Sequence, residues 1–263
     1  MARAPELPPG YRLEAEDSVP STNGVALAAA RRGDPGHLWV TAGEQTDGRG
    51  RRGRPWSTGR GNLAASLLLV DPALPEAAAT VSFVAGVALH QAVVDVAGPA
   101  VAERLALKWP NDLLLDRLKV AGILVEGEML TDGRFAVVIG VGVNCLTHPE
   151  IDGPLQSTDL ASRGVPVDSS TLFGRLALRM AGEIAHWHRG AGFATTRRAW
   201  LARATGVGET VRVTLPQRTV DGLFEAFDDA GRLIVARADG GREIVSAGDV
   251  FFGVGSRADG AGA

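Results

Sequence analysis

Between two apolar stretches, His37 to Ala42 and Leu63 to Val70, runs Gly48-Arg49-Gly50-Arg51-Arg52-Gly53-Arg54-Pro55-Trp56, which restricts the fold more than any other segment. Four guanidinium groups in six residues repel one another and cannot enter a core, so the run is a surface loop slung between two strands. Such a loop is expected to close around an anion, phosphate or carboxylate, rather than to order alone. Its glycines let the backbone approach a ligand, and Trp56 offers a flat apolar face for a ring. A flexible nucleic-acid tether has a similar composition, but a lone tether is usually terminal and this run is internal.

The rest of the chain supplies a frame for that loop. Of 263 residues, 45% are hydrophobic, enough for a substantial core. Ser21-Thr22-Asn23 before an Ala-rich run that ends at Gly33 has the order of a cap, a short helix and a stop. Pro75 to Val96 carries apolar residues at helical spacing. Leu105 to Trp109, Val120 to Glu126 and Phe135 to Val143 are strands of one central sheet. A helix begins near Asp168 and stops at Gly190, and a shorter one spans Ala194 to Ala204. From Gly206 the pattern changes to short alternating strands, Thr210 to Leu215, Thr219 to Phe227, Arg232 to Ala236 and Glu243 to Ser246. The class is α+β: a mixed central β-sheet with helices, then a small all-β appendage. The expected division is residues 1–205, 206–254 and a disordered tail over 255–263.

No run of about 18 apolar residues is evident and the start lacks a signal-peptide core, so a cytoplasmic protein without a membrane segment is expected. The single cysteine, Cys145, permits neither an intramolecular disulfide nor a Cys-based zinc site. A formal charge of −3 gives no global drive toward nucleic acid.

Residue scarcity points to further sites. Of the 27 basic residues only Lys108 and Lys119 are lysines, and Asn23, Asn62, Asn111 and Asn144 are the only asparagines. If base composition disfavours these codons, the survivors stand where Arg, Gln or Ser cannot substitute. Lys108-Trp109-Pro110-Asn111-Asp112 ends a strand in a Pro-Asn-Asp turn, where sites collect. Lys119 opens the strand to Glu126, with Gly122 inside it leaving room for backbone or ligand. An ammonium there can hold a carboxylate and stabilise charge growing on an α-phosphate. Gly140-Val141-Gly142-Val143-Asn144 lacks the third glycine of a dinucleotide fingerprint, and Asn144 is either a ligand-binding amide or a turn. His186 and His188 do not share a helix face, and Cys145 and His148 lack an identifiable orienting acid. Asp112 and Glu126 are conceivable metal helpers, but the metal ligands stay unknown.

Taken in series, these segments resemble the biotin protein ligases, in the short form without an N-terminal DNA-binding domain. The matching motifs span about residues 15 to 150, and the C-terminal strands resemble that family's SH3-like β-barrel. The resemblance implies a class II synthetase-like ligase core that activates biotin with ATP as biotinyl-5'-AMP. The biotinyl group then passes to a lysine of a biotin carboxyl carrier protein domain of an acyl-CoA carboxylase, with Mg²⁺ as cofactor. It implies that Lys119 and Arg51 are catalytic. Ser21, Thr22, Asn23, Gln45, Arg49, Gly50, Arg51, Lys119 and Gly122 would bind biotin. Arg54, Trp56, Lys108, Asn111 and Asn144 would bind ATP or the adenylate. Only about twenty residues precede Ser21, too few for a winged helix, so no DNA binding is expected. Two rivals make different predictions: a lipoate or octanoyl transferase, whose R-R-x-x-G-G-G segment is absent, and a nucleic-acid binder without ATP turnover.

Overall fold

Alternation along the strands divides the interior into two cores, one on each face of a central sheet. The computed structural model describes residues 5–150, 156–215, 217–246 and 248–252. Its larger sheet has seven strands, β1 (Arg12–Val19), β2 (Leu38–Gln45), β3 (Leu63–Val70), β4 (Leu105–Lys108), β5 (Asp112–Leu115), β6 (Leu118–Met129) and β7 (Phe135–Val143). Their order is β1-β2-β3-β7-β6-β5-β4, with β1 parallel to β2 and the remaining pairs antiparallel. The mixed sheet expected from the sequence is therefore present.

Leu68, Ala136 and Val138 face helix α1 (Thr22–Arg31), where they pack with Ala26, Leu27 and Ala30. Leu67, Leu69, Val137 and Ile139 face the other way, into a larger core with α3 (Val81–Ala97) and α4 (Ser169–Trp187), α2 being the single turn Pro75–Ala78. Each large apolar side chain fully buried there stabilises the fold by roughly 1.5–3 kcal/mol. Ser21 caps α1 and Asp168 caps α4 through their side-chain oxygens.

The single helix expected over Pro75 to Val96 is interrupted before Val81. There Thr80 Oγ1 donates to Ala77 O at 2.7 Å and accepts from buried Trp187 Nε1 at 2.8 Å, so a tertiary contact holds the break. No unbroken run of 18 apolar residues is present, although Pro75–Ala97 is by length and mean hydropathy apolar enough to cross a membrane. Yet 72% of its most apolar window is buried in the fold, as in the core helix of a soluble protein.

β1 and β5 were not foreseen. The first is mostly exposed and lacks an apolar stripe, and the second has only four residues, so neither carries a readable period. α5 (Phe193–Leu201) leads to the second sheet, β8 (Thr210–Thr214), β9 (Thr219–Phe227), β10 (Leu233–Ala236), β11 (Arg242–Val245) and β12 (Asp249–Phe252). It is antiparallel in the order β11-β10-β9-β8-β12, a small barrel-like module in which no pairing among the described residues joins β11 to β12. Aromatic rings join it to the larger unit: Phe83 stacks on Phe227 at 4.5 Å between centroids, with Trp200 edge-on to both. Trp109 Nε1 donates to Gly231 O at 3.0 Å. Gly231 has φ 75°, and a Cβ there would run into the Phe83 ring. The tail expected over 255–263 lies outside the described residues.

Candidate active site

β7 alternates in a way that opens a cavity. Its even positions begin as Ala136 and Val138 under α1 and continue beyond the helix start as Gly140 and Gly142. With no side chains there, the sheet becomes the floor of a cavity of about 520 Å³. Two substituents replace the missing ones. A Cβ on Gly140 would overlap the Asn23 amide, and a Cβ on Gly142 would overlap the Trp56 indole. Gly122, paired with Gly142 across β6 and β7, leaves room for Trp56 and for Lys119 Nζ, which a Cβ would meet at 3.3 and 3.4 Å.

At the α1 end the floor is polar and internally satisfied. Gln45 Oε1 accepts from Thr22 N at 2.8 Å and from Thr22 Oγ1 at 3.0 Å. Ser66 Oγ, fully buried, lies 2.7 Å from Thr22 Oγ1 and 2.6 Å from Asn23 Oδ1. Asn23 Nδ2 donates to Glu126 Oε2 at 2.7 Å. Buried networks of this kind hold their members in one arrangement.

At the other end charge dominates. The cavity is lined by Arg49, Arg51, Arg54, Lys108 and Lys119 against Asp112, Glu150 and Asp249, five cationic side chains against three carboxylates. Lys119 Nζ lies 2.6 Å from Asp112 Oδ1 and 5.5 Å from the Trp56 ring centroid. Its backbone is pinned on both sides, Lys119 N donating to Gln156 O and Lys119 O accepting from Thr158 N. Lys108 is 6% exposed, and burial holds its ammonium below the usual lysine range, an effect that Asp112 and Asp249 partly offset and that Lys119 and Arg51 add to. Among the described residues Lys108 makes no ion pair within 4 Å, the nearby Asp112 being held by Lys119, so the cavity presents an ammonium suited to an anionic ligand. Burial likewise lowers Arg51, whose Nη1 donates to Asn111 Oδ1 at 3.2 Å.

The Gly/Arg loop is ordered as a narrow hairpin. Trp56 N donates to Gly48 O and Gly50 N to Arg54 O, and a turn spans Arg51–Gly53. The anion it was expected to require comes from the second sheet: Arg52 donates to Asp249 Oδ2 at 3.0 Å, and Arg54 reaches the same oxygen. Asp249, Gly248 and Phe251 complete the cavity wall.

Of the sequence-expected site residues, Ser21, Thr22, Asn23, Gln45, Arg49, Gly50, Arg51, Arg54, Trp56, Lys108, Asn111, Lys119 and Gly122 all line this one cavity. Asn144 does not. It is 2% exposed, its Nδ2 donates to Thr158 O at 3.0 Å, and its Oδ1 is buried without a partner among the described residues. Asn62 is structural: its Oδ1 accepts from the backbone N of Cys145, Leu146 and Thr147 and so closes a turn. The acid missing beside His148 is Asp159, at 2.5 Å, but Cys145 is 1% exposed and its thiol is pushed up to about 12 by burial, so no Cys/His pair forms. Ser66, Glu150, Asp249 and Phe251 were missed. A serine at an inward position of an otherwise apolar strand was the one readable signal, since the others depend on tertiary placement.

The mixed sheet with its glycine floor and cationic loop corresponds to the Biotin/lipoate A/B protein ligase family, whose description matches residues 17–144. The biotin protein ligase C-terminal domain matches residues 206–253. A biotin–[acetyl-CoA-carboxylase] ligase of Paracoccus denitrificans is 42% identical over 89% of this chain and 97% of its own. A ligase so named from Mycobacterium tuberculosis is 36% identical over 92% and 89%. The structure of Aquifex aeolicus biotin protein ligase in complex with biotin and ATP superposes with a TM-score of 0.72 at 22% identity, covering 91% and 97%, a likeness of fold. The chain belongs to the biotin protein ligases.

Proposed function

We propose that this chain activates biotin with ATP and transfers it to a lysine of the biotin carboxyl carrier domain of an acyl-CoA carboxylase. The observation that carries this is a single cavity with a satisfied neutral floor at one end and excess cationic charge at the other. An uncharged ring system with a carboxylate tail and a polyphosphate nucleotide divide naturally between those ends.

A carboxylate oxygen of biotin attacks the α-phosphorus of ATP and pyrophosphate leaves, giving the mixed anhydride. Lys119, Arg51 and Lys108 are the donors toward the charge that grows on the phosphate oxygens. Trp56 offers its indole face to the adenine, and Asn111, on the cavity lining, is the proposed polar partner of the base, while Asn144 stays behind the wall. Ser21, Thr22, Asn23, Gln45, Arg49, Gly50 and Gly122 form the biotin side. In the second step the neutral amine of the carrier lysine attacks the acyl carbon and AMP leaves.

A Mg²⁺ cage built by protein is not supported by the donor set. Among the described residues no group of three or more His, Cys, Asp or Glu side chains comes together, and two of the three cavity carboxylates are ion-paired. Mg²⁺ is expected to arrive with the phosphates of ATP, and no step here is routed through a protein-held ion. The division into a catalytic unit over 1–205 and a β unit over 206–254 belongs to the same reading, as do a cytoplasmic site of action and the absence of a role on DNA.

Incubating the chain with ATP, biotin and a carrier domain tests the proposal: a biotinyl mass increase on one carrier lysine is expected, and no increase overturns it. Arg51→Ala is expected to release biotinyl-5'-AMP at least tenfold faster and to label bystander lysines, because the loop then no longer shields the anhydride. Release at the wild-type rate, measured by chasing labelled adenylate, contradicts that role for Arg51.

A further inference from the structure

The polar chain in the cavity floor does not end at Asn23. Ser66 gives its hydroxyl proton to Asn23 Oδ1, the Thr22 hydroxyl stands within hydrogen-bond distance of both Ser66 Oγ and Gln45 Oε1, and Asn23 presents Nδ2 to Glu126. Ser66 consumes the acceptor side of the Asn23 amide, and the donor side is turned toward β6, where Nδ2 meets Leu124 O at 3.4 Å and, much more closely, Glu126 Oε2 at 2.7 Å. One oxygen of Glu126 is used in this way. The other, Oε1, lies 3.6 Å from Arg49 Nη2, the first guanidinium of the Gly/Arg loop. The carboxylate side chain is 27% exposed and Arg49 is 45% exposed; Glu126 lies just outside the cavity, tying Arg49 and Asn23 of its lining to one carboxylate. Two residues further along β6, Glu128 binds Arg31 at the other end of α1 through both oxygens. The helix is thus tied to β6 at each end, and only the Glu126 tie also reaches the loop.

We propose that Glu126 is a positioning residue for biotin activation, fixing the Asn23 amide with one carboxylate oxygen and holding Arg49 of the Gly/Arg loop over the pocket with the other. The proposal rests on the biotin-ligase reading. It makes occupancy of the floor and closure of the loop parts of one arrangement: a ligand seated against Asn23 meets a loop already registered to that residue through Glu126.

A double-mutant cycle on the full chain tests this. Glu126→Gln retains an acceptor for Asn23 and removes the charge that attracts Arg49, while Arg49→Gln removes the other partner. Each single change is expected to weaken biotin binding, measured calorimetrically, about tenfold and to speed release of biotinyl-5'-AMP by a similar factor. The biotin KM should rise by more than kcat falls. The double variant should be no worse than the poorer single one, and Glu126→Asp, which keeps the charge, should recover part of the adenylate retention. Single effects that multiply in the double variant overturn the proposal, as does wild-type behaviour of Glu126→Gln. A wild-type chain that binds no biotin overturns the ligase reading together with the proposal, whereas biotin binding with multiplying effects overturns the proposal alone.

Discussion

Lys119→Ala is expected to lower biotin-dependent pyrophosphate exchange by about 10²–10³-fold, the usual cost of removing one preorganised donor from a site of developing charge. The loss should fall on kcat more than on the KM for either substrate, because the charge that Lys119 meets is larger in the transition state than in the ground state. Lys119→Arg should be little better. A guanidinium is a longer, planar fork that stacks on aromatic faces, so it is expected to lie on Trp56, whose ring centroid is 5.5 Å from Nζ, rather than to keep the compact point charge where the ammonium holds it. Lys119→Ala also removes the cation nearest Asp112, whose side chain is 10% exposed, so a thermal melt must accompany the kinetics. Near-wild-type exchange by folded Lys119→Arg would show that any cation suffices there and would contradict the assigned role.

Gly142→Ala should be nearly as damaging by a different route. The new methyl occupies the position of Trp56 Nε1, and the indole sits on a surface hairpin rather than in a core, so the ring moves and the sheet does not. The expected result is a KM for ATP raised at least tenfold. Stability should change by less than about 1 kcal/mol, since no buried group loses its partner. Restoring space on the ring side, with Trp56→Phe in the Gly142→Ala background, should recover part of the ATP affinity. An unchanged KM in Gly142→Ala would mean that the position of Trp56 on the glycine floor is irrelevant to nucleotide binding.

The site was more legible in the sequence than its walls were. The glycine/arginine run, the two lysines and Asn23 and Asn111 converge on one cavity because each is a residue type that pays for its position only with a ligand or a close approach. Scarcity alone was a weaker guide. Asn62 is rare for the same compositional reason and spends its amide on a turn, and Asn144 lies behind the cavity rather than on its lining. The paired glycines Gly140 and Gly142 had no reading beyond a weak motif, since their purpose is visible only once Asn23 and Trp56 are seen lying on them. Strands β3, β7 and β9 were placed to the residue, as each carries a strong apolar pattern between turn signals. β1, β5 and β12 were not, and with β12 went Asp249, which answers the loop's arginines from nearly two hundred residues away. Pairing over that distance leaves no local trace in composition or period.

The most direct test of the whole account is exchange of labelled pyrophosphate into ATP by the wild-type chain, run in parallel with biotin, with lipoate and with no acid. Exchange that requires biotin and is not supported by lipoate is the predicted result; exchange with lipoate alone, or with neither acid, would contradict it.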